Sequence, residues 1–153
     1  MARKLRIVQA IHTFPPVSQA GSEIYTFNLA KEFSRQHEVT VFYRVADPAW
    51  EEYEIQRGVY DGIDVCTVNN TFKNFKSFED TYRNDLIAKK FGELLDEIKP
   101  DIVHFQHVTC LSTTCVHEAK KRGIPIVFTL HDYWLICPRG QFVRRDLTLS
   151  EQP

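Results

Sequence analysis

The stretch that decides the fold is Pro125-Ile-Val-Phe-Thr-Leu-His-Asp-Tyr-Trp134. Its first half is a short, continuous apolar run, which is typical of a parallel strand buried on both faces. Polar and aromatic groups follow at once, beginning with His131 and Asp132. In an open α/β sheet, ligands bind just beyond the carboxyl ends of the strands. The sequence therefore predicts a functional site at this strand end, with two titratable side chains facing it.

Segments that favour strands and helices alternate along the rest of the chain. Apolar runs predict strands at residues 5–11, 38–44, 63–68, 101–106 and 125–130, and helical spacing predicts helices at 22–36, 80–99 and 111–122. Ser22 is the predicted N-cap of the first helix. Residues 45–62 and 69–78 are expected to be irregular. The alternation predicts an α/β domain: a Rossmann-like open parallel sheet with helices on both faces.

Composition excludes several classes of function. The chain has 153 residues, 43% hydrophobic and 25% charged, which suits one domain with a real core. A net charge of −1 provides no basic field, so no nucleic-acid partner is expected. The sequence contains no apolar run of the ~20 residues that cross a bilayer and no signal peptide. The four cysteines form no close pair, so reduced thiols and a cytoplasmic location are expected.

Residues 15–23 form a loop of small residues that leads into the first helix. Free N–H groups and the positive end of the helix dipole favour an anion there. The loop is neither a dinucleotide fingerprint nor a P-loop, because it lacks G-x-G-x-x-G and no Gly-Lys-Ser/Thr follows. A phosphate contact and a plain connecting loop therefore both remain open on local sequence alone.

A second polar cluster ends the fourth predicted strand. His104 and Gln106 share one strand face, and a hydrogen-bonded, half-buried histidine is the favoured interpretation of His104. His107 lies at the strand end and is expected to face the same crevice as His131. Asp132 is expected either to orient His131 or to cap the next turn.

Aromatic residues and possible metal ligands admit further interpretations. Tyr133 and Trp134 offer apolar faces to a sugar ring or a base, although packing in the core is an equal alternative. Several zinc-ligand types lie between residues 104 and 117, but their spacing matches no compact zinc pattern, and we predict no metal. A small Rossmann-like metallohydrolase remains the less favoured alternative, and its ligands would be His104, His107, Cys110 and His131.

An ordered set of motifs supports a more specific hypothesis. The segments are Ala20-Gly-Ser-Glu-x-Tyr25, Asn28-Leu-Ala-Lys-Glu-Phe33, His37-Glu-Val-Thr-Val41, Pro100-Asp-Ile-Val-His104, Gly123-Ile-Pro-Ile-Val127 and Thr129-Leu-His-Asp-Tyr-Trp134. Together they resemble the N-terminal domain of the family 4 (group 1) retaining glycosyltransferases, which have the GT-B architecture. The resemblance covers nearly the whole chain.

The resemblance implies a reaction and a set of site residues. It implies transfer of a sugar from a nucleotide-diphosphate-sugar to the hydroxyl of a sugar or lipid-linked acceptor, with retention and without metal or cofactor. The donor diphosphate and sugar would contact Ala20, Gly21, Ser22 and His131. The catalytic residues would be His131 and Asp132, and the acceptor would contact His107, Tyr133 and Trp134. The family usually has two glycines where this chain has Ala20-Gly21.

The resemblance also predicts how the chain is organised. Residues 1–138 would form the acceptor-side domain, residues 139–153 a polar tail or truncated linker, and the donor-binding domain would lie outside this chain. We therefore expect an inactive chain that needs a separate C-terminal domain, or a non-catalytic carbohydrate-binding or assembly module as the alternative. Self-association through an exposed face is expected to involve Phe14, Tyr133, Trp134 and Phe142. Arginines 139, 144 and 145 are either solvated or contact a phosphorylated acceptor or the inner membrane face.

Overall fold

The computed structural model describes residues 3–137 and 139–149, which fold around one six-stranded sheet. The strands are β1 (Arg6–Ile11), β2 (Glu38–Val45), β3 (Ile55–Tyr60), β4 (Ile63–Asn69), β5 (Ile102–His107) and β6 (Ile126–Phe128). The helices are α1 (Gly21–Ser34), α2 (Asp85–Ile98) and α3 (Cys115–Lys121), and a 3₁₀ turn spans Phe78–Thr81. The predicted Rossmann-like α/β class is confirmed.

The strand order places β1 in the middle of the sheet. The order is β3-β4-β2-β1-β5-β6, and every neighbouring pair is parallel except β3 with β4. β1 pairs with β2 on one side and with β5 on the other. The carboxyl ends of five strands therefore lie along one edge of the sheet, where a ligand crevice is expected.

Each face of the sheet is covered by its own apolar core. On one face, α1 packs over Ile7, Ile11 and Val41, with Ala30 contributed by the helix. On the other face, α2 and α3 pack over Val8, Ala10, Phe42 and Phe105, and the helices contribute Phe91, Leu95 and Ala119 among others. The alternation of side chains along β1 supplies both cores, so the prediction of helices on both faces is confirmed.

The prediction of an irregular segment at 45–62 is wrong in its second half. Residues Ile55–Tyr60 form β3, which pairs antiparallel with β4, so the sheet is mixed. Asp61 and Gly62 make the connection, with φ of 48° and 79°. Two consecutive positive φ values are typical of the type I′ hairpin turn, for which Asp-Gly is a preferred sequence. The signal was present in the sequence as Asp-Gly flanked by apolar residues.

The predicted helix boundaries also need correction. Ser22 is not the N-cap of α1: Ala20 occupies that position, and its side chain makes no capping hydrogen bond. α2 begins five residues later than predicted, because the Asn84 side chain caps it by accepting from the N–H groups of Leu86 and Ile87. α3 and β6 are shorter than predicted. Residues 70–77 are irregular, as expected, whereas Asn69 ends β4 and Phe78 begins the 3₁₀ turn.

The aromatic residues expected on an exposed face separate into two groups. Phe14 is fully buried against Phe27, Tyr43 and Tyr60, so this part of the prediction is wrong. The loop after β1 folds Phe14 back under α1 and removes it from the sheet edge. Tyr133 is 56% exposed, and exposed Leu130, Leu135 and Ile136 lie beside it in the chain. An apolar surface therefore does exist after β6, without Phe14.

Two further expectations concern cysteines and membrane spans. All four cysteines are free, and burial raises the pKa of the Cys66 thiol to about 11. Within the described ranges, no helix has the length and hydropathy needed to cross a bilayer. Pro138, the predicted domain boundary, and residues 150–153 of the predicted tail lie outside the described residues.

The hairpin turn gives a test of the corrected topology. Gly62→Ala places a side chain at a φ of +79°, so we expect the free energy of unfolding to fall by about 1 kcal/mol. Gly58→Ala is the matched control, because its new Cβ would meet only Val65 Cγ2, at 3.7 Å. Urea denaturation of both variants measures the difference. Equal effects at the two glycines would contradict the assigned turn.

Candidate functional site

Four polar side chains form a connected group at the carboxyl edge of the sheet. His12 directly follows β1, His107 ends β5, and Asp132 follows β6. The rings of His12 and His107 meet edge to face with centroids 4.8 Å apart. His12 Nε2 lies 3.3 Å from Glu23 Oε1, and His107 Nε2 lies 3.3 Å from Asp132 Oδ2. Strands β1, β5 and β6 are adjacent, so residues that follow them are brought together.

Glu23 is a buried carboxylate in the first turn of α1. Its relative exposure is 2%, and the hydroxyls of Ser18 and Ser22 donate to it at 3.1 and 2.9 Å. Burial raises the pKa of Glu23, but hydrogen bonds from its own N–H and from Ser22 outweigh burial and leave the pKa below its usual value. A carboxylate is also stabilised by the positive end of the helix dipole. Glu23 is therefore ionised and faces His12.

His12 is held neutral at physiological pH. Burial is the main cause that lowers its pKa from 6.5 to about 4, with His107 adding repulsion, while Glu23 opposes the shift. In the neutral ring, Nε2–H can donate to Glu23, which leaves Nδ1 as the acceptor. Nδ1 is buried and has no partner among the described residues. His12 thus carries an unused acceptor beneath the sheet edge.

Neighbouring groups fix the orientation of His107. The N–H of Thr109 donates to His107 Nδ1 at 3.3 Å, so in the neutral ring Nε2 carries the proton and donates to Asp132. The other oxygen of Asp132 accepts the N–H of Trp134 at 2.9 Å. Asp132 therefore caps the next turn, as one alternative predicted. The alternative that Asp132 orients His131 is wrong. Asp132 makes its histidine hydrogen bond to His107, whereas His131 bonds to Gln106.

His131 belongs to a second hydrogen-bonded chain that lies next to the first. Its Nε2 is 2.9 Å from Gln106 Oε1, and Gln106 Nε2 is 3.2 Å from His104 Nε2. His104 in turn bonds to Thr129 Oγ1 at 2.8 Å, which confirms that it is a satisfied buried histidine. Burial, followed by repulsion from His107, lowers the pKa of His131. His131 is therefore neutral at pH 7, with Nε2–H donated to Gln106.

The beginning of α1 reaches the same region through Tyr25. The rings of Tyr25 and His131 pack edge to face with centroids 5.1 Å apart. Gly21 is exposed, and a Cβ built on it would meet nothing within 4 Å. Ala20 and Ser22 flank it at the start of the helix, where N–H groups lack helical partners. The structure thus brings the predicted anion-binding loop and His131 to one place, but Glu23 already uses its own N–H.

The two predicted aromatic contacts point in different directions. Trp134 is half-buried, with its ring centroid 5.3 Å from that of His107 and 6.3 Å from that of Tyr82. Tyr133 is exposed and packs against Phe142. An open groove of about 420 Å³ runs past Trp134, Tyr82 and Phe78. Of the two aromatic residues, only Trp134 lines both this groove and the hollow beside His107, so the structure does not bring Tyr133 and His107 together.

The hollow between the site residues is narrow. The hollow lined by Gln106, His107, His131 and Trp134 has a volume of about 10 Å³. That is roughly the space of one water molecule. Gly140 packs against Asp132 at the edge of this hollow, since a Cβ built on Gly140 would approach Asp132 Oδ2 to 3.1 Å.

The metallohydrolase alternative finds no ligand set in the structure. Among residues 3–137 and 139–149, no three His, Cys, Asp or Glu side chains are grouped so as to hold a metal ion. His104 bonds to Thr129 and Gln106, and His131 bonds to Gln106. Two of the four proposed ligands are thus engaged in hydrogen bonds to neutral side chains.

Comparison with known proteins agrees with this geometry. The profile of Glycosyltransferase Family 4 matches residues 20–151, which include α1 and the segments after β5 and β6. The chain belongs to Glycosyltransferase Family 4. A relative from Klebsiella pneumoniae, described as an uncharacterized 42.6 kDa protein in the cps region, is 30% identical over 92 residues. The match covers 60% of this family 4 chain and 24% of the relative.

Solved structures share the fold at low sequence identity. The catalytic domain of Arabidopsis thaliana starch synthase IV, bound to ADP and acarbose, matches with a TM-score of 0.60, 17% identity and 86% coverage of this chain. Sucrose-phosphate synthase from Thermosynechococcus elongatus matches with a TM-score of 0.57, 13% identity and 87% coverage of this chain. A trehalose-6-phosphate structure from E. coli with UDP-2-fluoro glucose matches with a TM-score of 0.54, 18% identity and 83% coverage of this chain.

These matches establish the GT-B type of fold for this family 4 domain. The chain spans only 34%, 34% and 33% of those three structures, respectively. It also spans about a quarter of the Klebsiella relative. The described residues therefore correspond to one part of a larger architecture in each of these proteins.

Sequence reasoning missed three members of the site. Glu23, His12 and Gln106 were not proposed as site residues. The signal for His12 was the same as for His131, a polar residue directly after a buried strand. For Glu23 and Gln106 the pattern carried no signal, because their roles depend on contacts between different elements.

The His12 pKa predicts how stability depends on pH. Unfolded His12 takes up a proton near pH 6.5, whereas folded His12 does so only near pH 4, so acidification between these values favours unfolding. Between pH 7 and pH 4 this costs on the order of 3 kcal/mol. The depressed pKa of Glu23 acts in the same direction below its usual value.

Urea denaturation at pH 7 and pH 4 measures this effect. His12→Asn should lose less stability on acidification than the unmodified chain, because it removes the group that must be protonated. His117→Asn, on the exposed face of α3, is the matched control and should keep the full pH dependence. If both variants lose the same free energy of unfolding between pH 7 and pH 4, His12 is not buried in its neutral form.

Proposed function

We propose that this domain takes part in retaining transfer of a sugar from a nucleotide-diphosphate-sugar to an acceptor hydroxyl. The observation that carries the proposal is the meeting of His107, Asp132 and His131 at the carboxyl edge of the sheet, beside the start of α1. Membership of family 4 supplies the class of chemistry. The roles of individual residues follow from what each of their free atoms can bind.

The donor side of the proposal concerns the α1 loop and His131. Sugar transfer develops positive charge on the ring and negative charge on the departing diphosphate, so aimed dipoles stabilise the transition state. Ala20, Gly21 and Ser22 lie at the positive end of α1, and the missing side chain of Gly21 lets a diphosphate approach the backbone. His131 donates Nε2–H to Gln106, and its Nδ1 would accept a hydrogen bond from a donor sugar hydroxyl.

The acceptor side of the proposal concerns His107 and its neighbours. Asp132 and Thr109 hold the His107 ring in one tautomer, which gives an acceptor hydroxyl a fixed polar wall. The half-buried face of Trp134 and the exposed ring of Tyr133 would contact apolar faces of the acceptor. Asp132 is then a positioning residue that acts through His107, and His131 is the residue closest to the reacting sugar.

A division of labour between two domains is part of the same proposal. Residues 1–138 would form the acceptor-side domain, and a further domain would hold most of the donor, since the chain spans about a third of the related GT-B structures. The starch synthase structure was solved with ADP and acarbose, and the E. coli structure with UDP-2-fluoro glucose. Four free cysteines support a cytoplasmic location for the reaction.

Binding of nucleotide-sugars to the chain tests the donor side. We expect UDP-glucose and ADP-glucose to bind weakly to residues 1–153 assayed by themselves, with a dissociation constant above micromolar, and to show no turnover, because these residues span only about a third of the related structures. His131→Ala should weaken binding about tenfold through one lost hydrogen bond. His117→Ala, which changes an exposed histidine on α3, should bind like the unmodified chain. NMR titration measures constants in this range.

Two outcomes would overturn the proposal. Equal binding by the His131→Ala and His117→Ala variants would remove His131 from the donor site. Sub-micromolar binding, or turnover by this chain alone, would contradict the division between two domains.

A further inference from the structure

Arg44 is a half-buried guanidinium near the carboxyl end of β2, the strand beside β1. Its Nε–H donates to the carbonyl oxygen of Asn70 at 2.7 Å. Its Cζ lies 4.6 Å from the ring centroid of Phe72, which places the charge over an aromatic ring. Burial lowers the pKa of Arg44. The side chain is thus held in one place by a carbonyl and an aromatic ring.

Arg44 differs from the other arginines of residues 3–137 in having no carboxylate partner. The others pair with Asp101, Glu32, Glu97, Glu79, Asp96 or Glu118; they are Arg3, Arg6, Arg35, Arg57, Arg83 and Arg122. Cys110 and Glu52 act on Arg44 without a hydrogen bond to it, and both oxygens of Glu52 accept from Thr71, at 3.0 and 2.8 Å. A partly buried charge without a counter-ion favours binding of an anion.

A second unused donor lies on the residue that Arg44 contacts. Asn70 is 2% exposed, and its Oδ1 accepts the N–H of Phe72 at 3.2 Å. Its Nδ2 is buried and has no partner among the described residues. Buried polar groups in native structures are nearly always hydrogen-bonded. Two neighbouring residues therefore hold donors that this chain does not itself satisfy.

Arg44 lies at the same edge of the sheet as the candidate site. β2, β1 and β5 are adjacent, and they present Arg44, His12 and His107 at the same edge of the sheet. Ile11 on β1 pairs with Tyr43 on β2, so the next residues along the two strands, His12 and Arg44, are neighbours. Neighbouring strands are about 4.8 Å apart, which puts Arg44 roughly 10 Å from His107 across two strands. One acceptor molecule can reach both.

We propose that Arg44 binds an anionic group, a carboxylate or a phosphate, on the acceptor. The inference rests on the proposed function, because it takes His107 as the position of the reacting hydroxyl. Guanidinium groups bind both kinds of anion through two parallel N–H donors, and Nη1 and Nη2 of Arg44 make no hydrogen bond to the described residues. The acceptor is then a charged sugar whose anionic group lies about one sugar unit from the hydroxyl that reacts.

Three sugars that differ in charge test the inference without any donor present. The probes are glucose 6-phosphate, glucuronate and glucose, titrated into the chain at constant ionic strength and followed by backbone and arginine side-chain NMR. We expect at least one anionic sugar to bind tenfold or more tightly than glucose and to shift the Arg44 and Asn70 signals. Whichever of the two binds more tightly identifies the anion as phosphate or carboxylate.

Variants separate a specific contact from general charge attraction. Arg44→Gln should lose the preference for the anionic sugar, and Arg44→Lys should keep part of it, because a lysine retains the charge but not the paired donors. Arg57→Gln is the matched control, because it removes an arginine on β3 that pairs with Glu97. We expect no change in this variant. If Arg44→Gln fails to fold, the Arg44→Lys comparison still decides.

The inference is overturned if the unmodified chain does not prefer an anionic sugar, or if the preference survives in Arg44→Gln or falls equally in Arg57→Gln. These results are independent of nucleotide-sugar binding. Loss of this inference alone leaves the His131 dependence of donor binding intact. Failure of the proposed function removes the His131 dependence whatever Arg44 does.

Discussion

The parallel pairing of β1 with β2 and β5 is the constraint on which the site depends. It fixes the carboxyl ends of three adjacent strands at one edge, and the next residues along each strand must then share a small space. His12 and His107 meet there with ring centroids 4.8 Å apart, and Asp132 arrives from β6. Antiparallel pairing in the centre would have sent these residues to opposite ends of the sheet.

The polar groups at this edge form pairs, and the charge state of each group has its own physical cause. Glu23 is ionised because α1 and two serines stabilise its charge, and His12 beside it is neutral because it is buried. Beneath them, Gln9 on β1 is fully buried, opposite His104 in the register, and neither of its amide atoms has a partner among the described residues. Buried polar atoms of this kind cost roughly 1–3 kcal/mol each. Polar residues under the site therefore lower stability where an all-apolar core would raise it.

The sequence was sufficient for the fold class and for part of the site. Continuous apolar runs predicted five strands, and a polar residue after a buried strand predicted His107 and His131. The hairpin at Asp61-Gly62 was overlooked although its turn signal was present. Phe14 could not be placed, because its burial depends on how the loop after β1 packs under α1. Contacts such as Asp132 with His107, and Gln106 with His131, join separate elements and leave no local pattern.

The central claim is that the histidines at the carboxyl edge form one ligand site. Long-range ¹H–¹⁵N spectra of the imidazole rings, recorded while UDP-glucose is added, test it most directly. We expect the His131 and His107 signals to move together as ligand is added, whereas those of His37 and His117, which lie away from this edge, stay fixed. Ligand-dependent shifts confined to His37 and His117, or no shift at His131 under saturation, would contradict it.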